Sequence, residues 1–80
     1  MLQPVTSSNI DKVGYDNNKL YVLFKNKSLY VYNNIDENVY NEMLKAESIG
    51  KFLNTEIKKN NYPFERIWDD DQLYKTLLNE

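Results

Sequence analysis

The chain has 80 residues, 14% of them aromatic, and contains neither histidine nor cysteine. One small domain is expected, and the lack of both residue types excludes disulfides, thiol or imidazole catalysis and the zinc sites built from those ligands. The net charge of −2 comes from residues 69–80, because the preceding residues hold nine basic and eight acidic side chains, so no strongly basic face for duplex DNA is expected.

The first part of the chain predicts an antiparallel β-meander. Ser7-Ser8-Asn9 is typical of a loop, and Ile10–Tyr15 of a short strand that ends at the turn-favouring run Asp16-Asn17-Asn18. Leu20–Lys25 alternates apolar residues between two faces, which indicates a strand with one well-buried face. Asn26-Lys27 is expected to form a two-residue hairpin connection.

The strand after this hairpin, Ser28–Tyr32, carries two tyrosines on one face. By the same alternation, Leu29 and Val31 are expected to point inward, with Tyr30 and Tyr32 on the opposite face. The two rings would lie about 6.5–7 Å apart and could both contact a planar ligand. Stacking of a base on an aromatic ring contributes about 1–3 kcal/mol. The alternative is that both rings pack under the helices, as buried tyrosines usually do.

Two helices are predicted after the meander. Asp36 is a good N-cap for the first helix, and Ser48 for the second. The second helix must end before Pro63, because proline disfavours helical backbone at Tyr62. The apolar stripe of the first helix consists of Val39, Tyr40, Met43, Leu44 and Ala46, and that of the second of Phe52, Leu53 and Ile57.

The end of the chain predicts one more strand and a helical tail. Residues 64–68 can be extended and add a fourth strand. Asp69-Asp70-Asp71 suits the positive end of a helix dipole and indicates a helix start. That helix would carry apolar residues along one side, which could dock on the domain or on a second copy of it: Leu73, Tyr74, Leu77 and Leu78.

Together these elements predict an α+β fold, a small antiparallel three- to four-stranded meander packed against two helices, with a C-terminal helical extension. Residues 1–68 are expected to form the domain and residues 69–80 the acidic extension. No segment resembles a leader or approaches the roughly 20 apolar residues of a membrane span, so a cytoplasmic location is expected.

Several short motifs follow one another in a characteristic order over roughly residues 5–66. They are Val5-Thr6-Ser7-Ser8-Asn9-Ile10, Val13-Gly14-Tyr15-Asp16, Leu20-Tyr21-Val22, Tyr30-Val31-Tyr32, Val39-Tyr40, Ser48-Ile49-Gly50-Lys51-Phe52, Asn54, Ile57 and Tyr62. This ordered set resembles the KTSC domain, a family named for the C-terminus of some lysyl-tRNA synthetases and also found as a stand-alone bacterial or phage protein. The resemblance implies a compact α+β module with a central Tyr-x-Tyr and a suspected role in RNA binding. The chain departs from the family pattern at Lys27, where glycine is frequent, and at Leu53, where an aromatic residue is frequent and could have stacked on a ligand.

A second group of candidate ligand-binding residues lies at the start of the second helix. A cap hydroxyl, a glycine open to close approach, a cation in the first turn and an amide one turn on are groups that phosphate recognition would use. These residues are Ser48, Gly50, Lys51 and Asn54. The alternative is that they form only a tight, capped turn between two helices. Ser7 and Ser8 could donate to the same ligand or merely start the first strand.

A third candidate is a small basic patch around Tyr62, formed by Arg66 with Lys58 and Lys59, for which the alternative is a solvated helix end. The three consecutive acids at 69–71 are more simply a helix start than a magnesium site. No metal or cofactor is therefore expected.

The predicted function is a non-enzymatic small binding module, for RNA or a nucleotide-like anionic ligand. One alternative is a protein-interaction or self-assembly module that forms a homo-oligomer through the tail helix and aromatic surface. Another is a phage protein that sequesters a host nucleotide signal. An enzyme would have to rely on lone carboxylates such as Asp36 or Glu56, and no catalytic residue is predicted.

Overall fold

The computed structural model describes residues 1–79, and within them it shows one five-stranded antiparallel sheet with helices on both faces. The strands lie in the sheet in chain order: β1 (Gln3–Pro4), β2 (Ile10–Asp16), β3 (Lys19–Phe24), β4 (Leu29–Tyr32) and β5 (Phe64–Ile67). The helices are α1 (Glu37–Lys45), α2 (Ile49–Phe52), which continues as a π-helical segment over Leu53–Lys58, and α3 (Gln72–Leu78). The predicted α+β class is confirmed, with one strand more than the expected three or four.

The extra strand is β1, which pairs Gln3 with Val13 and Pro4 with Lys12 at the edge of the sheet. A two-residue strand is too short for alternation to reveal it, and proline is tolerated there because an edge strand can leave one side unpaired. The chain before β1 crosses closely over Gly14. A Cβ at this position would lie 3.0 Å from the carbonyl oxygen of Met1, so glycine lets the chain cross here without a shift of the neighbouring backbone.

The β2–β3 turn is the expected tight turn, with Asn17 and Asn18 at φ values of 51° and 65°. Two successive residues with positive φ are typical of a type I′ hairpin, and asparagine adopts this backbone more readily than most residues. The paired Asp16 and Lys19 flank the turn.

The β3–β4 hairpin corrects the sequence-based prediction, because its loop has three residues (25–27) and not two. The amide of Lys27 donates to the carbonyl oxygen of Phe24 at 2.9 Å, and the amide of Phe24 donates to the carbonyl oxygen of Ser28 at 2.8 Å. Lys27 has a φ of 76°. This is the three-residue loop whose last residue is left-handed and usually glycine.

One extra loop residue changes which side chains of β4 share a face with β3, since the side-chain period of a strand is two. Leu20 pairs with Tyr32 and Val22 with Tyr30. The tyrosines therefore lie on the face of Leu20 and Val22, which α1 and α2 cover. The prediction that Leu29 and Val31 occupy that face is wrong: they are buried on the opposite one.

Each face of the sheet has its own core. The helix-side core lies under α1, α2 and the π-helical segment and consists of Ile10, Val13, Leu20, Val22, Tyr32, Ile35, Met43, Ile49, Leu53 and Ile57. The predicted N-caps hold both helices. Asp36 accepts from the amide of Asn38 at 3.1 Å, and Ser48 accepts from the amide of Lys51 at 3.2 Å.

The opposite face is covered by the chain's own C-terminal helix. Its α3-side core consists of Tyr21, Leu23, Leu29, Val31, Ile67, Tyr74 and Leu77. Asp71 caps α3 by accepting from the amide of Leu73 at 2.8 Å, and the Tyr74 hydroxyl donates to the carbonyl oxygen of Lys27 at 2.8 Å. Of the two docking surfaces considered for this helix, the structure uses the sheet of the same chain. None of the helices formed by residues 1–79 has the length and hydropathy needed to cross a bilayer.

Candidate functional site

A cleft of about 810 Å³ opens on the helix side of the sheet, between the β3–β4 hairpin and the segment that leads from the π-helical turns into β5. Of the ten described residues that line it, five are aromatic and Lys58 is the only charged one. The lining residues are Phe24, Asn26, Ser28, Tyr30, Tyr32, Lys58, Asn61, Tyr62, Pro63 and Phe64. The cleft is therefore mostly apolar, with a few polar groups and one cation at its wall.

Strand register brings the rings together. Tyr32 pairs with Phe64 of β5, while Tyr30 is two residues away on the same face. The centroids of Tyr30 and Tyr32 are 6.5 Å apart at an angle of 22°, and Phe64 lies 6.0 Å and 5.6 Å from them. Phe24 meets Tyr30 edge to face at 5.7 Å. Neighbouring strands and a two-residue period thus build a continuous aromatic surface.

The two tyrosines differ in exposure, which resolves the alternatives that the sequence left open. Tyr32 is only 3% exposed and belongs to the helix-side core, whereas Tyr30 is half-buried. The Tyr32 hydroxyl has no hydrogen-bond partner among residues 1–79. Within that range every fully buried polar side-chain atom does have a partner, so the Tyr32 hydroxyl is not fully buried. Because Tyr32 lines the cleft, its hydroxyl reaches the open cleft. Tyr32 is a core residue with a polar tip in the cleft.

Burial, with a smaller contribution from Tyr30, raises the pKa of the Tyr32 hydroxyl above its usual value. The group is therefore neutral at physiological pH. It can donate a hydrogen bond to an acceptor in the cleft as well as accept one.

Two cations lie at this site. The Lys58 ammonium is 5.8 Å from the centre of the Phe24 ring. Arg66 pairs with Tyr30 across β4 and β5, and its guanidinium carbon is 3.8 Å from the centre of the Trp68 ring. Neither cation forms a salt bridge with a carboxylate within the described part of the chain. Both remain available to an anion.

The wall between Lys58 and Phe64 is held in place by backbone contacts. Asn33 donates its amide proton to the carbonyl oxygen of Pro63 at 2.7 Å, and Asn61 donates to that of Lys58 at 3.2 Å. Asn61 has a φ of 58°, which turns the chain after the π-helical segment. The cleft is accordingly preformed by ordinary hydrogen bonds.

The structure does not bring the predicted helix-start residues to this cleft, since its lining includes none of Ser48, Gly50, Lys51 and Asn54. The Ser48 hydroxyl is engaged as the cap of α2. Gly50 does not have positive φ, and a Cβ there would meet only Ser7 Oγ at an ordinary 3.7 Å, so no close approach requires glycine at this position. The capped-turn interpretation accounts for these contacts.

The two serines of the first loop have different surroundings. Ser7 Oγ accepts from the amides of Asn9 and Ile10 and stabilises the entry into β2. Ser8 lines a second, smaller depression of about 400 Å³, which shares Phe24 and Asn26 with the cleft. Of the predicted site residues, Tyr30, Tyr32 and Tyr62 meet in the cleft, and Arg66 lies beside it.

Sequence reasoning missed two residues that complete the aromatic surface, Phe24 and Phe64. Alternation along the second strand predicts that Phe24 points into the core, and the sequence predicts for Phe64 only a place in the last strand. The signal in the sequence for an aromatic surface is the spacing of Phe64, Arg66 and Trp68, which would lie on one side of an extended segment. Its connection to Phe24 requires the strand order, which local sequence does not contain.

Comparisons with known proteins agree with the resemblance found in the sequence. The family model described as the KTSC domain matches residues 6–62. A protein of Tsukamurella paurometabola is 37% identical over 59 residues, which are 71% of this chain and 88% of that protein. The crystal structure of a KTSC domain protein from Yersinia pestis is similar with a TM-score of 0.79 and 31% identity, over 85% of this chain and 97% of that one.

Proposed function

Because the chain belongs to the KTSC domain family, we propose that its aromatic cleft is the working part of a small binding module for RNA or a nucleotide-like anionic ligand. The observation that carries this proposal is the meeting of five aromatic rings and the Lys58 ammonium around one preformed cleft. The binding requires no chemical step by the protein.

The cleft has the size and character that such a ligand needs. Its volume of about 810 Å³ lies within the range of small-molecule sites, about 300–1,000 Å³, and such sites are typically apolar with a few polar groups. The half-buried Tyr30 and the 60% exposed Phe64 offer ring surface to a base. Every base can stack on such surface at about 1–3 kcal/mol, whatever its sequence.

The charge at the cleft favours an anion even though the whole chain is acidic. Lys58 is the only charged side chain among the described residues that line the cleft, and Arg66 adds a second cation near it. Two local cations can neutralise about as many phosphates, which suits a nucleotide or a short single strand more than a long duplex. The predicted cytoplasmic location would give access to such ligands.

The structure offers little for an enzymatic step. Among residues 1–79, no acidic side chain lines the cleft, and no group of three or more acidic side chains is placed to hold a metal ion. Asp36, one of the carboxylates that an enzyme could have used, caps α1. These observations favour binding without turnover.

Self-assembly remains the second candidate, although one of its arguments is weaker. The apolar side of α3 packs on the sheet of its own chain, so the tail helix no longer needs a second copy to cover it. Native mass spectrometry of the untreated protein would report both the number of chains and any retained ligand. Sequestration of a nucleotide signal by a phage protein would be a special case of nucleotide binding in the same cleft. Titration with cyclic nucleotides would test it.

The proposal is tested by recording amide chemical shifts while mononucleotides, cyclic nucleotides and short single-stranded RNA are added at low salt. We expect shifts concentrated at Phe24, Tyr30, Lys58 and Phe64. Phe64→Ala should weaken binding about 5-fold or more, because one stacking surface is lost. Leu73→Ala, which also removes a partly exposed apolar side chain but lies on α3, is the matched control and should bind normally. No shift with any of these ligands would refute the proposal.

A further inference from the structure

We propose that the cleft is the first of two stacking positions and that the Arg66–Trp68 pair is the second, so that the preferred ligand is a single-stranded oligonucleotide and not a mononucleotide. This inference rests on the proposed function, since it assumes that the cleft holds a base. It adds a second pair of site residues, a minimum length for the ligand and its path along β5.

The first argument is the arrangement of side chains on β5 and on the residue that follows it. Phe64, Arg66 and Trp68 follow one another at every second position, and the Arg66–Trp68 contact places both side chains on the same side of the chain. Tyr32 and Tyr30 lie opposite Phe64 and Arg66 on this face. Because β5 ends the sheet order, the row runs from the cleft along an open edge.

The second argument is exposure. Phe64 and Trp68 are 60% and 58% exposed, more than any other large apolar side chain of the described residues. One of the two already lines the cleft. A tryptophan left this open on the same side of the chain as Phe64 provides the ring surface that a second base would use.

The third argument is the position of the Arg66 guanidinium, which lies 3.8 Å over the Trp68 ring. This contact covers one face of the ring, and the exposed fraction of 58% leaves other ring surface open. The planar guanidinium keeps N–H donors at its rim for a phosphate, because stacking engages its face. Arg66 lies midway between Phe64 and Trp68 in the chain, two residues from each. A phosphate that joins a base on Phe64 to a base on Trp68 would therefore lie near Arg66.

The spacing of the two positions matches more than one nucleotide. Four strand rises separate residues 64 and 68 by about 13 Å, which is beyond the reach of a single base. A dinucleotide or longer strand could stack on both rings, with its phosphate at Arg66. The second stack should raise affinity about 5-fold or more relative to the mononucleotide.

The test uses Trp68 itself, since it is the only tryptophan of the chain and its fluorescence reports on this position alone. Uridine monophosphate, diuridylate and tetrauridylate are titrated into the full-length protein, with amide shifts recorded in parallel. We expect the monophosphate to shift cleft residues without quenching Trp68. The two longer ligands should quench Trp68 and bind about 5-fold or more tightly than the monophosphate.

Variants distinguish the contribution of ring stacking to affinity from that of the Arg66 charge and from a loss of folding. Trp68→Ala should remove the affinity gained with length, whereas Trp68→Phe should retain part of it. Arg66→Gln should weaken oligonucleotide binding and reduce its salt dependence by about one phosphate contact. Leu73→Ala is the control for loss of an exposed apolar side chain, and thermal unfolding shows that each variant is folded.

The outcomes distinguish the two proposals. If the monophosphate and the longer ligands bind to the cleft equally well and leave Trp68 fluorescence unchanged, the second position is wrong and the proposed function stands. The second position is also wrong if folded Trp68→Ala keeps the full gain with length. If no ligand shifts any cleft residue, the proposed function itself fails.

Discussion

Lys27 is the residue at which backbone geometry and side-chain type disagree most clearly. Its φ of 76° lies in the left-handed region, which costs a non-glycine residue about 1–2 kcal/mol. Glycine relieves this cost but loses about 0.5–1 kcal/mol of chain entropy. We expect Lys27→Gly to raise the free energy of unfolding by about 0.5 kcal/mol, measured by urea denaturation.

The matched control is Lys25→Gly in the same loop, since Lys25 does not have positive φ. Glycine should there lower stability slightly, because only the entropy loss remains. Equal effects at the two positions would contradict this explanation of the loop.

Tyr32 should make stability depend on pH in the alkaline range. Its folded-state pKa is raised above the unfolded value of about 10 by burial and by Tyr30, so the unfolded state releases the proton first. This contribution to stability is complete below pH about 10 and is lost as the pH rises toward the folded-state pKa. Unfolding free energies of wild type and Tyr32→Phe, measured across this range, should show a shallower decline for the variant. Tyr15 and Tyr21, whose pKa values are also raised by burial, should maintain part of the slope.

At the scale of elements, the β3–β4 hairpin and α3 depend on each other. The Tyr74 hydroxyl donates to the carbonyl oxygen of Lys27, across 47 residues of sequence, while the Tyr74 ring packs on β3 and β4. We expect Tyr74→Phe to lower the free energy of unfolding by about 0.5–1.5 kcal/mol, because the hydrogen bond is lost and the ring remains. Chemical denaturation measures this loss.

A stability of Tyr74→Phe equal to that of wild type would mean that water replaces the hydroxyl at no cost. Amide exchange of the hairpin in the same variant gives a second readout. Faster exchange confined to the hairpin and α3 would show that the bond couples these two elements.

For the whole molecule, charge distribution predicts how salt affects binding. The net charge is −2, yet the candidate site holds the cations Lys58 and Arg66. If each neutralises one phosphate of a single strand, the slope of log affinity against log salt should be about −1.4. Affinity for tetrauridylate, measured over a range of salt concentrations, gives this slope. A much steeper slope would indicate that other lysines contact the ligand and that the binding surface extends beyond the cleft.

Local patterns in the sequence were sufficient for the α+β class, the family, the Asn17-Asn18 turn and the helix caps at Asp36 and Ser48. These features depend on neighbours a few residues apart, since alternation, capping and positive-φ turns are short-range effects. Part of the site followed as well, because Tyr30 and Tyr32 must share a face wherever their strand lies.

Only the tertiary structure decided which face that is. One additional residue in the β3–β4 loop turns the tyrosines toward the helices, and pairing with β5 then brings Phe64 beside them. The same long-range packing leaves the α2 start outside the cleft and buries the tail helix on its own sheet. Strand register and the docking of helices on the sheet depend on contacts between residues distant in the chain. These contacts assembled the site, whereas the local sequence determined only the strands, turns and helix caps from which it is built.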